Sequence, residues 1–86
     1  MARRFIAMPT VLRISGYRFS FFAEEGNEPP HVHIQKAEGK AKFWLEPISL
    51  VNDRGFTPRQ LRFIKKTIIA NQKKLLEEWN GFFGHV

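Results

Sequence analysis

Apolar and polar residues alternate along the first half of the chain and recur at helical spacing along the second. Tyr17, Phe19 and Phe21 fall on every second position with Arg18 and Ser20 between them, the period of a strand with one dry face. Residues 10–14 precede them across Ser15-Gly16, so residues 10–23 read as a hairpin, and Arg13 joins the polar side only if a bulge at the hairpin shifts it. Glu24 to Pro30 combines Gly, Asn and a Pro pair and cannot continue a ladder. His31 to Lys36 then forms a third strand, with Val32 and Ile34 opposed to His31, His33 and Gln35. After a turn at Ala37-Glu38-Gly39-Lys40, Ala41 to Leu45 forms a fourth, with Ala41, Phe43 and Leu45 opposed to Lys42 and Trp44. Short connections make this a four-stranded antiparallel meander. Glu46-Pro47 ends its pairing, and Ile48 to Val51 reads either as a brief fifth strand or as a linker.

Thr57-Pro58-Arg59-Gln60 sets a hydroxyl at the N-cap, proline at the first helical position and glutamine at the third, a capping box that opens a helix. Leu61, Ile64, Ile68, Leu75 and Trp79 fall on one stripe, with Gln72 inside it, and Gly81 is the expected stop. One helix from Pro58 to about Asn80 would be roughly 34 Å long, enough to cross the sheet. The alternative is two shorter helices with a break near Ala70-Asn71. Phe82 and Phe83 are expected to fold back onto the helix end. The fold class is therefore α+β, a four-stranded meander with one long C-terminal helix on its Phe-rich face.

At 86 residues the chain holds one domain, expected over residues 8–86 behind an N-terminal extension at residues 1–7. Its core must come from a few large side chains, and nine Phe meet that need. The extension has cations but too few apolar residues for a secretory leader, and no apolar run approaches a membrane span, so the expected location is the cytoplasm. The absence of cysteine excludes disulfides, thiolate metal sites and Cys nucleophiles. A formal charge of +6 makes polyanions the leading partner class, although solubility alone can account for a charge of that size.

Three constellations carry candidate chemistry. His31-Val32-His33 puts two imidazoles on one strand face, about 7 Å apart at Cα, where they can share a phosphate or a divalent metal, with Glu28, Gln35 or His85 completing the site. The plain alternative is a pair of structural histidines. Arg18, Lys42 and Trp44 share that face, cations interleaved with an aromatic as single-stranded nucleic acid requires. Arg59, Arg62, Lys66 and Lys73 lie within about 60° on the helical wheel and form a basic rail, for which solvation is the commoner explanation. Phe63 projects away from the apolar stripe, the mark of a contact surface. Phosphate-cradling glycine loops and nucleophile elbows are absent from the sequence.

The segments Met8-Pro9-Thr10-Val11-Leu12-Arg13, Asn27-Glu28-Pro29-Pro30-His31-Val32-His33 and Ala41-Lys42-Phe43-Trp44-Leu45-Glu46-Pro47, with a closing helix bearing Leu75, Trp79 and Phe83, resemble the short prokaryotic family called domain of unknown function 4160 over residues 8 to about 83. That resemblance implies no catalytic residues, because the family has no established activity. It does imply a setting similar to small two-gene, toxin–antitoxin-like modules, and hence a small cognate partner protein. Together these features lead to the expectation of a nucleic-acid-directed protein that binds or cleaves RNA. His31 and His33 would serve as general base and acid, and Arg18 or Lys42 would stabilise the phosphorane. The rivals are a non-catalytic interaction module or homodimer, using Phe63 and Trp44, and a metal-dependent hydrolase built on His31 and His33.

Overall fold

A computed structural model describes residues 10–84, so the extension expected over residues 1–7 and His85 lie outside the described residues. The element order is β1 (Thr10–Ile14), β2 (Tyr17–Ser20), a single 3-10 turn (Ala23–Glu25), β3 (His31–Lys36), β4 (Gly39–Leu45), β5 (Ile48–Arg54), α1 (Pro58–Ala70) and α2 (Gln72–Phe82). The five strands form one antiparallel sheet in the order β1-β2-β3-β4-β5, and the helices cover one face. The α+β expectation stands, but with five strands and two helices.

The hairpin turns explain the sheet's parity. Ser15 and Gly16 both take positive φ, at 51° and 84°, which gives a two-residue turn whose twist suits the flanking strands. Ile14 then pairs with Tyr17 and Arg13 with Arg18, so Arg13 reaches the polar face with no bulge at the hairpin; the irregularity lies between Thr10 and Leu12. Glu46-Pro47 does not end the pairing as expected. It is itself a two-residue turn, across which Leu45 pairs with Ile48 and the chain returns as seven-residue β5. This strand escapes a pattern reading because it is an edge: only Ile48 is half-buried and the rest is exposed, so no alternation marks it.

The covered face is built from Tyr17, Phe19, Phe21, Val32, Ile34, Ala41, Phe43 and Leu45, met by Ile64, Ile68, Leu75 and Trp79 from the helices. Each fully buried Phe contributes about 2 kcal/mol of transfer free energy. The capping box closes as expected, with Gln60 N donating to Thr57 Oγ1 at 3.1 Å and Thr57 N to Gln60 Oε1 at 2.9 Å.

The single long helix is corrected at Asn71. Its φ and ψ, −119° and 15°, leave the helical region, and its side-chain amide donates to Thr67 O at 2.8 Å. A polar side chain that bonds the last carbonyls of a helix competes with continuation and ends it. Gln72, the polar residue in the apolar stripe, donates to Leu45 O at 2.7 Å and so fastens the start of α2 to the end of β4. Gly81 is not the stop, since α2 runs to Phe82 and the chain turns at Gly84, where φ is 61°. Phe83 folds back as expected, its ring 4.1 Å from that of Trp79, whereas Phe82 stays 38% exposed. Phe63 is only partly free, with its ring 5.2 Å from Tyr17. Among the described residues, no helix is long and apolar enough to cross a membrane.

Candidate functional site

The sheet face opposite the helices carries the candidate chemistry, and strand register divides it into two ends. At one end, Arg13 pairs with Arg18, Arg18 with Gln35, Gln35 with Lys40, and Lys40 with Arg54. Cross-strand partners project to the same side, so this is one continuous row over all five strands: four cations and an amide. With neighbouring strands about 4.8 Å apart, the row runs roughly 19 Å. Arg18 donates to Gln35 Oε1 at 2.9 Å, which splays its guanidinium along the row. Among the described residues, none of these cations forms a salt bridge with a carboxylate.

A cleft of about 710 Å³ lies on this face, bordered by Arg18, His33, Gln35, Lys40 and Arg54, with one carboxylate, Asp53, also on its edge. Only Arg18 of this cationic border was singled out from sequence. Lys40 and Arg54 were missed because β5, which places Arg54 opposite Lys40, was not resolved from the pattern.

At the other end the histidines gather, though not as two open rings. The 3-10 turn, closed by Glu25 N donating to Phe22 O at 3.0 Å, carries the Glu25 carboxylate over β3. Glu25 Oε1 lies 2.6 Å from His31 Nε2 and 2.7 Å from His33 Nε2. His31 Nδ1 lies 2.8 Å from Pro29 O, and since a carbonyl only accepts, that nitrogen carries a hydrogen. A single proton is then held between His31 Nε2 and Glu25. Glu28, the acid expected to complete the site, accepts from Lys42 Nζ at 2.8 Å and stands 3.9 Å from His31 Nδ1, on the far side of the ring from Glu25. Glu25 went unrecognised because it stands six and eight positions ahead of the histidines, across the loop of residues 26–30; the acidic pair Glu24-Glu25 ahead of the Pro-Pro-His segment was its only trace.

Burial changes the role of His31. Its side chain has 0% exposure, enclosed between Trp44 and Trp79 at ring separations of 5.7 and 5.0 Å, because the loop and the end of α2 fold over this corner. The expectation of two imidazoles open to a ligand is therefore corrected: His33, with 21% side-chain exposure, is the one that borders the cleft. Phe22 stacks on its ring at 3.7 Å and 9°. Burial pushes the His33 imidazole below its usual range, against the opposing pull of Glu25. Burial alone would raise the Glu25 carboxyl, but hydrogen bonds from His31 and His33 outweigh it and hold the group below its ordinary value.

The other expected residues are dispersed. Lys42 stands over the Trp44 ring at 5.0 Å and is neutralised by Glu28, so the Trp44 face is already occupied by a cation. Arg59, Arg62 and Lys66 are exposed on α1 and Lys73 on α2, beyond the break. Arg59 borders a shallow pocket with Ser15, Tyr17 and Phe63, so the start of the rail reaches the β1–β2 hairpin, whereas the cationic row lies on the sheet. The rail thus belongs to the helical layer and the row to the sheet.

These surfaces define a small two-layer α+β domain whose uncovered sheet face bears a basic cleft beside a buried-to-exposed Glu–His cluster. The chain belongs to the family described as domain of unknown function (DUF4160), which matches residues 16–80; Met8 to Arg13 and Phe83 fall outside that span. Neither a curated protein nor a solved structure matches it.

Proposed function

We propose that this protein binds nucleic acid through the cationic row and cleft on the open face of its sheet. The observation that carries the reading is the row itself. Like charges directly opposite each other on neighbouring strands cost several tenths of a kcal/mol per pair, and the row contains two such pairs, Arg13 with Arg18 and Lys40 with Arg54. A phosphodiester backbone laid across the strands relieves that repulsion and releases counterions. Gln35 and Asn52 supply amide groups beside the cations, and Phe22 and His33 give the cleft an aromatic wall.

Cleavage by a two-histidine relay is not part of this reading, because His31 has no exposed surface to offer a substrate. The helix rail is a solvated face in this reading, and its variants serve as controls.

The test is fluorescence anisotropy with labelled single-stranded RNA and DNA oligonucleotides over a salt series. Four phosphate contacts predict a log–log slope of about −3 for a single strand. Arg54→Ala should reduce its magnitude by about 0.7, whereas Arg62→Ala and Lys66→Ala should leave it unchanged. Salt-independent binding, or equal losses from the helix variants, would overturn the proposal. Comparison of the two oligonucleotides distinguishes RNA from DNA.

A further inference from the structure

We infer that Glu25, His31 and His33 form a binding site for one divalent transition-metal ion of the zinc class. One ligand atom from each residue lies within 4.8 Å of the others, with His31 Nε2 and His33 Nε2 already converging on the same Glu25 oxygen at 2.6 and 2.7 Å. Three ligands held at about 2.1 Å from one ion stand roughly 3.0 to 3.4 Å apart, so the Glu25 oxygen must draw back by a few tenths of an ångström from each nitrogen, and the two nitrogens, which lie within 4.8 Å, must settle at that separation.

The groups behind the ligands agree. The far nitrogen of a metal-bound histidine usually donates to a carbonyl or carboxylate that fixes the ring, and His31 Nδ1 already donates to Pro29 O at 2.8 Å. His31 is locked between two tryptophans, so Nε2 has one orientation. Two imidazoles and one carboxylate select first-row transition ions over magnesium or calcium, and three protein ligands leave a position for water. Solvent reaches that side through Glu25 and His33, with 25% and 21% side-chain exposure. On binding, the ion replaces the proton shared by His31 Nε2 and Glu25, which leaves to solvent. His33 moves its own proton from Nε2 to Nδ1, so both rings ligate as neutral imidazoles.

The inference is independent of nucleic-acid binding, since the cluster and the row meet only at the His33 wall of the cleft. The test is titration of untagged, chelator-treated protein with Co²⁺ and then Zn²⁺, followed by calorimetry and visible absorption. One Co²⁺ per chain is expected, displaced by Zn²⁺. Glu25→Ala and His33→Ala, which alter part-exposed side chains, should each weaken binding by about 100-fold or more while keeping a native circular dichroism spectrum. Glu24→Ala in the same turn and His85→Ala should bind as the parent chain does. Failure to take up either metal, or undiminished binding by the Glu25→Ala, His33→Ala double variant, would overturn the assignment. So would loss of binding in His85→Ala with retention in His33→Ala, which would place the ion elsewhere.

Discussion

The two ends of the open sheet face carry similar residue types and treat their charge in opposite ways. Around His31, His33 and Lys42 every charge has a counterpart: Glu25 serves both rings and Glu28 serves the lysine. Around Arg13, Arg18, Lys40 and Arg54 the described residues form no salt bridge, although Asp53 borders the same cleft, and cations face cations across strands. A closed network fixes geometry and is suited to holding something small at one point. An open row costs folding stability and is suited to meeting something long and anionic. Composition alone, a net +6, would have spread that charge evenly over the surface.

The contrast can be broken most severely at the matched end. His31→Ala removes a buried ring that bonds both Glu25 and Pro29. It should destabilise the domain by roughly 3 kcal/mol, the low end of the range for breaking a buried pair because Glu25 keeps a quarter of its surface. A thermal midpoint lowered by roughly 15 °C would register it, and a shift of only a few degrees would show that the network is dispensable.

At the unmatched end the dependence inverts. Arg18→Glu combined with Arg54→Glu should lower oligonucleotide affinity about 100-fold, or about 2.7 kcal/mol. The midpoint should hold or rise, since each change replaces repulsion across the ladder with attraction. A fall in stability matching that of His31→Ala would erase the distinction between the ends. The smallest effect is expected from Glu28→Gln, which breaks a part-exposed ion pair: less than about 1 kcal/mol of stability, and a slight gain in affinity as Lys42 is released. A large loss of binding in that variant would place Lys42 and its loop inside the binding surface after all.

Much of this was legible in the chain. The alternation of Tyr17, Phe19 and Phe21, and of Val32 and Ile34 against the histidines, gave the correct inward face, because a half-buried strand has to match the period of the pleat. The Thr57–Gln60 box marked the start of α1 because its bonds are local. Arg13 was misjudged although counting outward through a two-residue turn puts it opposite Arg18. What stayed hidden depends on contacts between segments distant in sequence. An edge strand with one neighbour and wet faces has no hydrophobic period to display. The end of α1 was legible only as an alternative, a break near Ala70-Asn71, because it is set by where the Asn71 side chain turns, and many asparagines sit in helices without ending them. For His31, parity correctly gave the face, but its burial follows from Trp79, nearly fifty residues later, closing over the corner.

Gly26 gives this corner one further dependence. A Cβ added there would lie 2.3 Å from Phe83 Cδ1, so the Phe83 ring rests directly on bare backbone one residue beyond Glu25. The penultimate turn of the molecule therefore acts as a wedge behind the acid that joins the two imidazoles. A protein cut short after Trp79 would keep all five strands, His31 and His33, yet lose the backstop that holds Glu25 in place.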